Sequence, residues 1–370
     1  MYPALYEKYG SGGGWLRAHL RDVIYPWSKE REDLEQRSLL AFVKATPLES
    51  PLGKRLGWFL PGHGSSYADC GSIKAKGCLN VEAHPEGKVF GRYYKKSCRR
   101  KACRICMEDW ATAEAEKTVI RFAAFLYGYA DVKDCLSRFK SKFKGKPRRD
   151  FHRNLVNHLE MMIRQARIHP IHLVVSPPQD RKWDAVTYRK DRTRAYSLAR
   201  KCGFRGGNLT VHPYRWHCRQ CHSAIPDYSK ACPRCGYSDF HWQYSPHFHA
   251  VGYGFIHGTK ENYEETGWLV KNIGVRKSVF WTMQYLLSHA GVFDDPMGEV
   301  KFHVTTWFGN MAYNMLKVPK IGTFLEVCPI CMRPLVPLIF IGGEDRPPPI
   351  YEKDAPNEFL ADLVDWGRFS

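Results

Sequence analysis

Two histidines one residue apart, His247 and His249, lie in the run Ser245-Pro246-His247-Phe248-His249-Ala250-Val251-Gly252-Tyr253-Gly254. On an extended strand residues i and i+2 face the same way, so the two imidazoles stand side by side as half of a metal site. Phe248 turns to the opposite face, into a core, and Ala250, Gly252 and Gly254 let another surface come close. Further on, Val279-Phe280-Trp281-Thr282-Met283-Gln284-Tyr285-Leu286-Leu287-Ser288-His289 reads as a helix with Tyr285 and His289 one turn apart on one face. A tyrosine close to a divalent ion is a candidate nucleophile.

The chain has 13 cysteines, which in a reducing compartment read as metal ligands rather than disulfides. Cys218-x2-Cys221 followed by Cys232-x2-Cys235 places four thiolates in two knuckles, a closed set for one structural Zn2+, with Pro233 and Gly236 suited to the tight turns. A second Zn2+ is expected nearer the N-terminus, where Cys70, Cys78, His84, Cys98, Cys103 and Cys106 offer six ligands for a four-coordinate ion. Cys70, Cys78, Cys103 and Cys106 are the preferred quartet, with Cys98 or His84 as substitutes. Cys328-x2-Cys331 has no partner pair in sequence; it either binds metal with a histidine such as His303 or forms a knuckle-like turn. Cys135 and Cys202 read as buried small hydrophobes. At least two structural Zn2+ ions are therefore expected.

These ligands need elements to hold them. Apolar and β-branched runs predict strands over 171–176, 209–214 and 244–256, a helix over about 192–202, the tyrosine helix over 276–289, and a further segment over 301–308. Glu108-Asp109-Trp110 opens a helix to about Tyr127, with acidic residues where the helix dipole favours them. Leu155, Leu159, Met162, Ile163 and Ala166 at helical spacing are packing residues. The fold class is α+β, an antiparallel-sheet sandwich with helices on one face. An N-terminal helical and zinc-binding module is expected over 1–130 and a basic linker over 131–152. A sheet domain over 153–316 would carry a zinc ribbon inserted at 216–240, and 317–370 would be a knuckle-like segment with a loosely attached acidic tail.

Charge points to a phosphate-rich partner. Fifty-six Lys and Arg against 37 Asp and Glu give a net charge of +19 and a pI near 9.4. Eight basic and no acidic residues lie between Lys88 and Arg104, and nine basic residues against Asp134 and Asp150 between Lys133 and Arg153. Aromatic residues interleave with both tracts, a composition suited to backbone contact with base stacking. No run of about 18 apolar residues is present, so no membrane span is expected. The N-terminus lacks the apolar core of a signal peptide, which leads to an expected cytoplasmic location. The glycine-rich 10–14 segment reads as a connector, because no Gly-Lys-Ser/Thr follows it.

Taken in order, four patches give the chain a family likeness over roughly 165–315: Ile171-His172-Leu173-Val174-Val175-Ser176, the glycine turn and strand from Gly203 to Arg215, the His247/His249 strand, and the Tyr285 helix. They resemble the HUH (His-hydrophobe-His) endonuclease superfamily, most closely the replication initiators of archaeal plasmids and viruses. The resemblance implies a five-stranded antiparallel core and a catalytic Mn2+ or Mg2+ held by His247, His249 and a third ligand, His212 first and His289 second. It also implies a 5′-phosphotyrosine formed by Tyr285 on single-stranded DNA at a replication origin. The freed 3′-hydroxyl would prime rolling-circle replication, with a host polymerase and helicase as further partners. Many family members carry a lysine three residues after the tyrosine; here that position is Ser288, with His289 the nearest polar substitute. A relaxase or single-tyrosine transposase would use the same atoms, and a non-catalytic zinc-ribbon nucleic-acid binder would share the charge and the cysteines.

Overall fold

A computed structural model of the chain describes residues 56–178, 181–225, 231–293, 302–322, 325–342 and 357–368, all within one unit, Thr46–Ser370. The 10–14 glycine segment and most of the acidic tail lie outside these residues. In chain order the strands are β1 (Trp58–Phe59), β2 (Ile73–Cys78), β3 (Val89–Lys95), β4 (Ile171–Ser176), β5 (Phe204–Cys218), β6 (Phe240–Gly254), β7 (Leu269–Val275), β8 (Val292–Phe293), β9 (Thr305–Gly309), β10 (Val336–Phe340), β11 (Glu358–Ala361) and β12 (Trp366–Arg368). The helices are α1 (Met107–Tyr127), α2 (Tyr129–Lys142), α3 (Arg148–Gln165), α4 (Ala185–Lys201), α5 (Thr259–Thr266) and α6 (Val279–Ser288).

The fold is α+β with antiparallel sheets. The central sheet has the order β7-β4-β6-β5-β9, every neighbour antiparallel. Its two long strands, β5 and β6, run past the sheet as a stem in which Trp216 pairs with Trp242 and Cys218 with Phe240. One face carries Leu209, Val211, Phe248 and Ala250 and is covered by α4 with Trp183 and Tyr188, whose rings pack on Phe248. The other face carries the histidines, and α1 covers part of it through Phe122 and Phe125 against Tyr253. Helices thus pack on both faces, where the sequence led us to expect one. The reason is visible in β5, whose side chains from Gly206 to Tyr214 are buried without alternation, the signature of a strand covered twice. Asp184 and Thr187 form a capping box that starts α4. Gly203 ends it at φ 91°, where a Cβ would sit 2.0 Å from the Phe255 carbonyl oxygen.

A second antiparallel sheet, β11-β3-β2-β10-β12, joins the N-terminal hairpin to strands from the far end of the chain. The acidic tail, expected to be loosely attached, therefore contributes two strands, β11 and β12, and the segment before it contributes β10. Leu338 and Trp366 enter a core with Ala75, Val89 and Tyr93, and Phe359 lies over Gly91, where any Cβ would collide with its ring. Net acidity suggested a tail, but the apolar residues between the charges decide the packing. Likewise the basic stretch over 131–152 is largely helical. Val132, Cys135, Leu136 and Phe151 are buried at helical spacing, leaving the cations on the outside. Among the described residues no helix is long and apolar enough to cross a membrane.

Candidate metal centres and the tyrosine helix

The β5–β6 register places His212 opposite His247 and Thr210 opposite His249, so all three imidazoles share one face. Their ligand nitrogens converge within 4.8 Å of one another, and exposure is 0%, 4% and 3% for His212, His247 and His249. Burial drives the pKa of each well below the ordinary histidine value, so all three are neutral at pH 7, each with one ring nitrogen able to act as a ligand. Both ring nitrogens of His212 are buried with no hydrogen-bond partner among the described residues. A polar group left that way is costly unless something coordinates it, and a divalent ion fits the donor set.

The other two histidines are held by a chain of contacts. Arg276 Nη2 lies 2.7 Å from His172 Nδ1, His172 Nε2 2.7 Å from His249 Nδ1, His249 Nε2 3.0 Å from His247 Nε2, and His247 Nδ1 2.8 Å from Ser245 O. A guanidinium can only donate, and a neutral imidazole has one N–H. The protons therefore run in one direction, from Arg276 to His172, to His249, to His247, to the carbonyl of Ser245. In that order His249 Nε2 carries a proton at the point where an ion would bind, so ion binding would move that proton to Nδ1 and make His172 Nε2 its acceptor. His172 and Arg276 escaped sequence reasoning. The available signal was a lone histidine in the otherwise apolar run of β4.

Helix α6 brings the tyrosine to this face. Ser278 caps its start by accepting from the Trp281 N–H, and the buried carboxyl of Glu160 on α3 accepts from the Phe280 N–H at 2.7 Å. Burial raises the Glu160 pKa to about 7, with the Phe280 N–H pulling the other way. Further along, Gln284 donates to Thr112 of α1. The rings then form a file. Tyr285 packs on His289 at 4.5 Å between centroids, His289 on His212 at 4.4 Å, and His212 on His249 at 4.3 Å. His289, whose pKa burial lowers to about 3, is thus wedged between the tyrosine and the trio rather than among its ligands. Ser288 does not stand in for a lysine; its hydroxyl donates to Tyr285 O at 2.7 Å. Tyr285 itself is only 2% exposed.

Four cysteine sulfurs meet in each of two clusters, and both all-cysteine sets fit zinc. Cys218, Cys221, Cys232 and Cys235 close the tip of the β5–β6 stem, with Cys218 and Cys235 sulfurs 3.5 Å apart and Cys221 and Cys232 also 3.5 Å apart. The second set is Cys70, Cys98, Cys103 and Cys106, which corrects the expected quartet: Cys98 takes the place given to Cys78. The cause is the β2–β3 hairpin. Gly71 donates to Lys96 O and Lys96 to Ser72 O, so the residues flanking its open end, Cys70 and Cys98, come together. Cys78 lies at the opposite end of β2, beside His84, Cys328 and Cys331. His303, suggested as a partner for the last pair, is elsewhere, its carbonyl accepting from Tyr188. Cys135 and Cys202 are buried and belong to none of these groups.

Compared with protein-family models, curated proteins and solved structures, the chain matches none.

Proposed function

We propose that the protein is a metal-dependent enzyme of the HUH type that nicks and rejoins single-stranded DNA and so initiates rolling-circle replication. The observation that supports this reading best is the alignment of a buried three-histidine face with Tyr285 through His289. A Mn2+ or Mg2+ held by His212, His247 and His249 would supply positive charge to a non-bridging oxygen of the scissile phosphate. Tyr285 Oη attacks the phosphorus, the P–O bond to the 3′-oxygen breaks, and a 5′-phosphotyrosine forms. The proton lost by the tyrosine is balanced by the one the 3′-oxygen gains. Because the phosphodiester is exchanged rather than hydrolysed, the 3′-hydroxyl can reverse the step without ATP. His289 acts as a positioning residue that sets both rings it touches. Enclosure of Tyr285 means that a DNA strand must part α6 from its surroundings to reach it. Basic residues on α2 and at the start of α3 would hold the phosphate backbone and, through it, the partner DNA.

The test uses 3′-end-labelled single-stranded DNA tiled across the sequence flanking the gene, incubated with the full chain and Mn2+. We expect label to comigrate with denatured protein, and to disappear with EDTA or in Tyr285→Phe while DNA binding persists. An adduct that survives in Tyr285→Phe would assign the wrong tyrosine. Strong DNA binding with no adduct on any strand would favour a non-catalytic zinc-ribbon binder.

A further inference from the structure

We propose that Cys78, His84, Cys328 and Cys331 form a third zinc centre, a closed site of three thiolates and one imidazole that clasps the segment before β10 to the turn end of the β2–β3 hairpin. The four ligand atoms converge from chain segments some 250 residues apart. Cys78 and Cys331 sulfurs are 3.4 Å apart, and His84 Nε2 lies 3.4 Å from the Cys331 sulfur and 3.3 Å from that of Cys328. Tetrahedral zinc with Zn–S bonds of about 2.3 Å separates its sulfurs by about 3.8 Å, so a small outward shift accommodates the ion. His84 Nδ1 is 2.8 Å from Lys88 O, to which only an N–H can donate, and this leaves Nε2 as the lone pair aimed at the sulfurs.

The local backbone supplies an independent argument. In the Cys218/Cys221 knuckle the residue after the second cysteine, His222, has φ 55°, its N–H donates to Cys218 O at 3.0 Å, and the Cys218 N–H donates to Ser223 O at 3.0 Å. The Cys232/Cys235 knuckle repeats this with Gly236 at φ 75°. Cys328/Cys331 repeats it again: Met332 has φ 61°, its N–H donates to Cys328 O at 3.0 Å, and the Cys328 N–H donates to Arg333 O at 2.8 Å. A methionine gains nothing from left-handed backbone by itself. The turn is the one that points two sulfurs at a common ion, and the Ile330 N–H, 3.4 Å from the Cys328 sulfur, adds the hydrogen bond a thiolate accepts. Three sulfurs and one imidazole in a buried, closed set select zinc over harder cations. Binding releases the thiol protons and leaves every ligand position filled, so the centre is structural. It also supports the basic turn between α2 and α3, because Gly145 lies against Pro329 of the knuckle.

Zinc per chain is measured by elemental analysis on the full-length protein and on Cys328→Ser/Cys331→Ser. The double variant should hold one equivalent less, and an unchanged ratio would overturn the proposal. As a check that does not depend on that variant folding, His84→Cys should keep the full zinc content while changing the ligand-field bands of the Co2+-substituted protein toward those of all-thiolate sites. Identical Co2+ spectra for the wild type and His84→Cys would overturn it, as would a Cys78–Cys331 disulfide found by mass spectrometry of freshly purified, unreduced protein.

Discussion

At Cys70, Cys98, Cys103 and Cys106 four sulfurs converge from loops flanking a hairpin and a helix start, whereas at His212, His247 and His249 three nitrogens converge from the middle of two long strands. Four sulfurs are a complete ligand set for a tetrahedral ion and would leave it no open position. The histidine set stops at three, and beyond His212 stands His289 with the tyrosine helix behind it. The surroundings differ in the same sense. Each sulfur cluster draws together chain segments that are apart in sequence, so an ion there would stabilise the fold. The histidine face lies on a sheet already fixed by its own ladder and by helices on both sides, so its order does not depend on an ion.

That contrast can be broken by substitution. On the proposed function, His247→Ala or His249→Ala should lower DNA cleavage by roughly a thousandfold, the equivalent of several kcal/mol of lost charge stabilisation. Their melting temperature should stay near that of the wild type. Cys218→Ser/Cys221→Ser should do the reverse in a thermal melt, lowering the transition by several degrees through loss of the closed ribbon site. A large thermal loss in the histidine variants, or none in the cysteine pair, would dissolve the distinction. A smaller effect should come from His172→Leu, which removes the group that orients His249. Outer-shell partners are worth about 10–100-fold in metal affinity, so the Mn2+ concentration for half-maximal cleavage should rise by that order.

Acid should sharpen the comparison further. Burial holds His172, His212, His247 and His249 well below the ordinary value of 6.5, and His289 at about 3. Their contribution to stability is complete above pH 6.5 and is lost as pH falls from there toward the folded values, because the unfolded chain takes up protons first. Glu160 works in the opposite sense. Its pKa of about 7 in the fold, against 4.5 ordinarily, gives stability that is lost as pH rises through 7. Five histidines outweigh one carboxyl, so the melting temperature should drop between pH 7 and pH 4; a flat or rising profile would contradict the neutral, enclosed histidine face. The smallest expected effect lies on the outer surface. Binding to single-stranded DNA should weaken with salt at about −0.7 per phosphate contacted, a log–log slope of roughly −3 to −5 for several contacts. Changing Lys140, Lys142, Lys144 and Lys146 to Gln should flatten that slope without altering cleavage of bound strand.

Local periodicity made much of this legible. His247, Phe248 and His249 alternate as a strand requires, and the ribbon cysteines lie within one short insertion, so spacing alone brings each set together. Contacts set by distant pairing were not legible. Cys98 joins Cys70 because β2 and β3 are in register, and Cys78 leaves them because it sits at the far end of that hairpin. The attachment of β11 and β12 depends on a few apolar residues inside an acidic stretch, which composition averages away. His172 carries no spacing signal at all, since its role arises only when β4 pairs with β6.

The second sheet also imposes a schedule. Cys70, Cys98, Cys103 and Cys106 can gather an ion as soon as the chain through Cys106 has emerged from the ribosome. The strands that flank the hairpin come much later, and Cys331 follows Cys78 by 253 residues, which at ordinary synthesis rates is a delay of roughly 13–50 s. Through that interval β2 and β3 each keep an unpaired edge. Such edges invite pairing with other chains. Ile73–Lys95 is therefore a stretch where a nascent molecule is open to aggregation, and an ion held early by Cys70, Cys98, Cys103 and Cys106 would keep the open end of the hairpin in register until its neighbours arrive.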